Sequence, residues 1–195
     1  VRLLERRGKL LRCYTQNIDG LERLAGVTPA RLVECHGTFA SASTIDPPRR
    51  AVDVAWYKGQ LDAGCTEIRC EETGSLVKPD IVFFGESLPD HFAPRVSEDF
   101  PECDLLLVVG TSLAVHPFAG LVRHVGRGTT RVLANMAEAG AELGLDFGDP
   151  EGRDVLLLGD CQATARALAA RLGWASDLED LERELQAGGR GSGRL

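Results

Sequence analysis

Short apolar runs that stop at Gly, Asn, Asp or Thr recur along this sequence and alternate with helical patterns. That alternation predicts an α/β chain built from βα units around a parallel sheet covered on both faces. The runs place strands at Leu10–Thr15, Arg31–His36, Ile81–Phe84, Leu105–Val109, Arg131–Ala134 and Val155–Leu158, with helices over Phe118–His124, Cys161–Leu172 and Leu178–Gln186. With 195 residues, 44% of them apolar, the chain is long enough for a well-buried core. Between His36 and Lys78 the pattern breaks down through Pro47, Pro48, Arg49 and Arg50 into a Gly-punctuated charged stretch, which reads as a small inserted module. From Ala187 to Leu195 the residues are mainly Gly, Ser and Arg with nothing to bury, so a disordered tail is predicted.

Charge and cysteine usage narrow the function. A formal net charge of −7 argues against a nucleic-acid binder, whose affinity rests largely on Lys and Arg neutralising phosphates, and points to small molecules or proteins as partners. Six cysteines scattered through a chain of this size do not make a disulfide-stapled secreted domain, so a reducing compartment is expected. The longest apolar run, Leu105–Val109, is far below the roughly 20 residues that cross a bilayer, and no membrane association is expected. The sequence opens on Val1 inside an amphipathic pattern (Val1, Leu3, Leu4), which suggests that residues precede it. The compartment is therefore read as cytoplasmic or nuclear, with the mitochondrion as the alternative.

In open parallel sheets ligands bind where strands end at their carboxyl edge. Four polar clusters occupy such ends: Gln16-Asn17-Ile18-Asp19-Gly20, His36-Gly37-Thr38, Gly110-Thr111-Ser112 and Asn135. Together they suit a nucleotide, with amides and hydroxyls for ribose, a glycine for close backbone approach and helix N-termini for phosphate. Each alone has a plainer reading. Gly-Thr-Ser serves equally as a helix cap, a lone His is usually structural, Asn135 can be a turn residue and Cys161 a small buried hydrophobe.

The literal strings are more specific. CYTQNIDGLERLAG, HGTFAS, VKPDIVFFGESLP, DLLLVVGTSLAVHPFA and GDC followed by a helix ending LGW resemble consecutive blocks of class I sirtuins, in that family's order, over most of Leu10 to Leu185. Through Cys161 and LGWASDLEDL the likeness is strongest to the cytosolic tubulin-deacetylating branch, then to the mitochondrial branch. The resemblance implies an NAD-dependent protein-lysine deacetylase with a Rossmann-like core, acting on acetylated lysine-containing proteins or peptides and consuming NAD as co-substrate. It implies that His36 is the general base, a role that suits an imidazole titrating near physiological pH. Gln16, Asn17, Ile18 and Asp19 would line the nicotinamide and its ribose. Gly110, Thr111 and Ser112 would hold the adenosine-side ribose and phosphates, Asn135, Met136 and Ala137 the adenosine ribose, and Cys161 would lie near the adenine. Ile18, Val82, Phe84, Gly85 and Glu86 would take the substrate, the peptide adding as an extra strand along Ile81–Glu86; Phe83 is expected in the core under either reading. The acyl oxygen would attack the ribose carbon bearing nicotinamide and displace it, His36 would activate a ribose hydroxyl, and hydrolysis by water would yield free lysine and O-acyl-ADP-ribose.

Two departures accompany the resemblance. The family's first strand, glycine-rich GAGIS loop and IPDFR segment belong upstream of the QNID block, so the Rossmann-like core is expected to be partial and NAD binding weak. The family's structural zinc is held by two CxxC pairs, whose positions fall here on Thr44, Pro47, Cys70 and Thr73; zinc needs four N or S ligands, so the module is read as degenerate and no metal ligand is assigned. The expected organisation is 1–36 first part of the core, 37–78 degenerate zinc-type module, 79–174 remainder of the core and 175–195 C-terminal helix and tail. Two functional readings follow: a fragment or variant of a deacetylase with impaired activity, or a catalytically inactive sirtuin-like interaction module.

Overall fold

The computed structural model describes residues 1–188 as a mixed α/β chain with parallel sheets. Two compact units are present: Arg12–Phe92, and Val1–Leu11 together with the chain from Ala93 onward. Among the described residues no helix is long and apolar enough to cross a membrane.

The chain opens on α1 (Arg2–Arg6), which belongs to the second unit. In the first unit, β1 (Cys13–Thr15) pairs in parallel with β2 (Leu32–Glu34), with Cys13 opposite Leu32 and Thr15 opposite Glu34. Both strands are shorter than the predicted runs. Gly20, at φ 70°, starts the one-turn helix α2 (Leu21–Leu24) between them.

After His36 the chain forms an antiparallel sheet in the order β4–β3–β5, with β3 spanning Gly37–Thr44, β4 Ala51–Val52 and β5 Val77–Ile81. This is the stretch without apolar periodicity. Its core is small, Ala42, Ile68 and Val77, covered by Val52, Trp56, Tyr57, Cys65 and Cys70. α3 (Val54–Asp62) is started by Asp53, whose carboxylate accepts the Trp56 amide at 2.7 Å. Three residues of β3, Phe39 to Ser41, bulge out where the register shifts from Thr38/Asp80 to Ala42/Pro79. Pro79 is tolerated because β5 is an edge strand.

The strand predicted at Ile81–Phe84 lies elsewhere. Pairing with β3 selects Val77–Ile81, and the apolar residues that follow leave the sheet in a turn. Phe83 is half exposed and Phe84 fully so (49% and 106%), which corrects the expectation that Phe83 is a core residue.

In the second unit, α4 (Phe92–Asp99) begins at the boundary and was not anticipated, although Phe92, Val96 and Phe100 are buried at helical spacing. β6 (Leu105–Val109), β7 (Thr130–Asn135) and β8 (Asp154–Leu158) then form a parallel sheet in that order, within one residue of the predicted bounds. Leu113, Ala119, Val122, Leu143 and Leu145 pack together against Leu106 and Val108 of β6. The helix expected at Phe118–His124 is a 3-10 turn, Phe118–Arg123. Gly120 within it is a poor helix residue. α5 (Cys161–Arg171) is capped by Asp160, which accepts the Ala163 amide at 2.8 Å, and α6 spans Ala175–Gly188. Ala187 and Gly188, expected in the tail, thus complete α6; the rest of that segment lies outside the described residues. Arg6 and Arg7 pair with Glu184 and Asp177 of α6, and Arg7 lies 5.5 Å from the centre of the Trp174 ring. These pairs are largely exposed and add little stability.

A buried ion pair is built into this sheet. Arg131 of β7, 5% exposed, donates through Nε and Nη2 to the two carboxylate oxygens of Asp154, each at 2.6 Å. It also donates to the carbonyls of Val122 at 3.1 Å and Gly144 at 2.7 Å, and the Asp146 amide completes the Asp154 carboxylate at 2.8 Å. Burial alone would raise the Asp154 carboxyl, but the donors from Arg131 and Asp146 and the charges of Arg131 and Arg153 outweigh it and hold it below the usual carboxylate range.

Candidate functional site

His36 stands at the end of β2, where the Cys35 amide extends the parallel ladder by donating to the Thr15 carbonyl at 2.9 Å. Its Nδ1 lies 3.2 Å from the Gln16 carbonyl oxygen. A carbonyl oxygen only accepts, so Nδ1 is the donor in this contact. On the other side the His36 carbonyl accepts the Val82 amide at 2.9 Å. The residue is thus tied by hydrogen bonds to the QNID segment and to the end of β5.

Gly37 makes that arrangement possible. It sits at φ 75°, and a Cβ built there would lie 1.9 Å from the Asp80 carbonyl oxygen. Gly37→Ala is therefore expected to cost at least about 2 kcal/mol, from the left-handed backbone and the clash together. The measurement is the midpoint of urea unfolding of the full-length protein; an unchanged midpoint would show that β3 and β5 can part there without penalty.

Within the QNID segment the groups are partly committed. The Asn17 amide donates to Thr15 Oγ1 at 3.2 Å, and Asp19 Oδ1 accepts the Leu21 amide at 3.1 Å, so Asp19 also starts α2. Asn17 and Asp19 are exposed, Gln16 and Ile18 half-buried. Val82 is half-buried as well, and Phe84, Gly85 and Glu86 lie on the exposed turn that follows, with Gly85 at φ 89°. All the residues assigned to the base, the nicotinamide side and the substrate belong to this one unit.

The residues assigned to the adenosine side belong to the other unit and gather at the carboxyl ends of β6, β7 and β8. The Gly110 amide donates to the Ala134 carbonyl at 3.0 Å, and its φ of 62° turns the chain out of β6. Asn135 Nδ2 donates to the carbonyls of Thr111 and Ala137, each at 2.9 Å, holding the loops after β6 and β7 together. Cys161 Sγ reaches the Ala134 carbonyl at 3.5 Å. Ser112 and Met136 are exposed.

Two residues at these sites escaped sequence reasoning. Leu113 is buried at φ 54°, a left-handed conformation unusual for a bulky side chain, which marks the loop after β6 as constrained. Lys78, on β5, donates to the Ile81 carbonyl and to Glu86. Nothing in the local sequence distinguishes either residue.

The positions corresponding to a structural zinc do not fit the metal. Thr44 is buried with Oγ1 accepting the Arg50 amide at 2.8 Å, and Thr73 Oγ1 accepts the Ser75 amide at 3.3 Å. The Cys70 thiol is drawn below its usual range, first by the Thr73 hydroxyl and then by the amides of Thr73 and Glu72. Cys65 Sγ contacts Gln60 Oε1 at 3.4 Å. Among the described residues no three His, Cys, Asp or Glu side chains gather in a way that could hold a metal ion.

The profile of the Sir2 family matches residues 1–117. NAD-dependent protein deacetylase sirtuin-2 of Danio rerio is 43% identical over 194 residues, covering 93% of this chain and 51% of the relative. NAD-dependent deacetylase sir2A of Dictyostelium discoideum is 44% identical, covering 93% of this chain and 36% of the relative. NAD-dependent protein deacetylase sirtuin-3 of Mus musculus is 43% identical, covering 93% and 52%. The chain thus spans between about a third and about half of the length of these relatives.

Proposed function

Given that this chain belongs to the Sir2 family, we propose that the protein is an NAD-dependent protein-lysine deacetylase with a Rossmann-like core, whose inserted module, residues 37–78, has lost the zinc-type ligand set. Its substrates are acetylated lysines in proteins or peptides. Its compartment is the cytoplasm or nucleus, with the mitochondrion as the alternative; six cysteines scattered along the sequence suit a reducing setting.

One observation carries the reading: His36 Nδ1 lies 3.2 Å from the Gln16 carbonyl oxygen, while the same residue's carbonyl accepts the Val82 amide of the substrate segment at 2.9 Å. With Nδ1 donating to that carbonyl, Nε2 acts as the base next to the segment that receives the acyl-lysine. NAD, bound as co-substrate, supplies the ribose carbon from which nicotinamide departs and the ADP-ribose that accepts the acyl group. Gln16, Asn17, Ile18 and Asp19 bind its nicotinamide side. Gly110, Thr111, Ser112, Asn135, Met136, Ala137 and Cys161 bind its adenosine side, where the left-handed turn at Gly110 supports close backbone approach. Ile18, Val82 and Phe84 flank the neutral acyl-lysine stem, and Gly85 and Glu86 engage the peptide main chain. His36 takes the proton of a ribose hydroxyl, whose oxygen then receives the acyl carbon.

The test is incubation of the full-length protein with NAD and an acetyl-lysine peptide. Nicotinamide and deacetylated peptide are expected in equal amounts. Peptide binding without nicotinamide release would overturn the proposal in favour of an inactive interaction module.

A further inference from the structure

The turn after β5 has an architecture of its own. Lys78, 15% exposed in its side chain, donates from Nζ to the Ile81 carbonyl at 2.6 Å and to Glu86 Oε2 at 3.0 Å, and lies 4.6 Å from the centre of the Phe83 ring. The same Glu86 oxygen accepts the Phe83 amide at 2.9 Å, and the Glu86 amide donates to the Phe83 carbonyl at 3.0 Å. One ammonium and one carboxylate therefore close residues 81–86 into a loop at both its ends and its middle. Phe83 is drawn beneath the ammonium by a cation–π contact, and Phe84 is turned fully outward. The main chain of Phe84 and Gly85 has no hydrogen-bond partner among the described residues, and a Cβ built at Gly85 meets nothing within 4 Å. An exposed, unpaired main chain held in one shape suits an extended peptide that docks through backbone hydrogen bonds.

We propose that Lys78 is a positioning residue for the acyl-lysine peptide: bridging the Ile81 carbonyl and the Glu86 carboxylate, it pre-shapes the turn whose Phe84–Gly85 main chain receives the substrate. This rests on the deacetylase reading for the identity of the peptide. The physical reason is preorganisation, since a turn already ordered in the free protein loses less conformational entropy when the peptide binds. The Glu86 carboxylate is held below its usual range, first by the Phe83 amide and then by Lys78, so it remains ionised through neutral pH.

Lys78→Met keeps the aliphatic stem and removes the ammonium. In the full-length protein its affinity for an acetyl-lysine peptide, read by fluorescence polarisation, is expected to fall roughly tenfold, as for loss of a hydrogen bond to a charged group. The KM for the peptide should rise in parallel, with the KM for NAD unchanged. Glu86→Gln should act in the same direction, and Lys78→Arg should restore most of the affinity because a cation again reaches both acceptors. Unchanged peptide affinity in both Lys78→Met and Glu86→Gln, or an equal loss for peptide and NAD, would overturn the proposal. The equilibrium measurement needs no turnover: an inactive wild-type protein whose peptide binding still depends on Lys78 would remove the deacetylase reading and leave the positioning role standing.

Discussion

Arg131→Ala is expected to destabilise the sheet of β6, β7 and β8 by about 3–5 kcal/mol, because it leaves a buried carboxylate without its counter-charge. Asp154 is 4% exposed in its side chain and would retain only the Asp146 amide among its present donors, while the carbonyls of Val122 and Gly144 would each lose a donor. The measurement is the midpoint of urea unfolding, with amide exchange in β7 and β8 assigning the loss to this sheet. The double replacement Arg131→Met with Asp154→Leu should recover much of the loss, since an apolar pair of similar size avoids the desolvation cost. A single variant losing less than about 1 kcal/mol, the range of exposed pairs, would mean that water reaches Asp154.

The same pair sets an acid limit. The folded Asp154 carboxyl lies below the roughly 3.9 of an unfolded aspartate, so its contribution is fully present above that value. As pH falls through the lower folded value the carboxyl protonates and the contribution is lost. Acid unfolding of the sheet is accordingly expected to begin below about pH 4, and the Arg131→Met, Asp154→Leu protein should have a flatter pH profile there.

His36→Ala is expected to lower turnover of the acetyl-lysine peptide by about 10²- to 10⁴-fold while the KM for NAD changes little, the pattern of a group acting in the chemical step. Nicotinamide release at saturating substrates reads the effect. The Gln16 carbonyl would lose its contact with Nδ1, but Val82 would keep its bond, which is made to the His36 main chain. Retention of turnover within a factor of ten would make His36 a structural tie between the QNID segment and β5.

The candidate site was legible because its chemistry lies at strand ends. β6 is apolar throughout and β7 is apolar over Val132–Ala134, so the residues that stop these runs stand out at Gly110, Thr111, Ser112 and Asn135. His36 likewise follows a short apolar run. Lys78 and Leu113 gave no such signal: a lysine in VKPDI reads as a solvated charge, and a leucine after GTS reads as an ordinary core residue. Their importance depends on a carboxylate eight residues away for Lys78 and a left-handed backbone for Leu113.

Local pattern sufficed for the α/β class, the three strands of the β6–β7–β8 sheet, the start of α5 and the strings shared with the Sir2 family. Each of these follows from a periodicity or motif contained in a few neighbouring residues. Pairing decided the rest. IVFF has the stronger strand composition, yet β5 forms at Val77–Ile81, because Gly37 admits the Asp80 carbonyl and the β3 bulge sets the register from the other side. The antiparallel sheet in the patternless module forms around Ala42, Ile68 and Val77, residues far apart in sequence. Arg131 and Asp154, two charged side chains buried beside the sheet, are stable only together, and their pairing exists only once β7 and β8 lie side by side, since a buried charge needs its partner in place before burial ceases to be a cost.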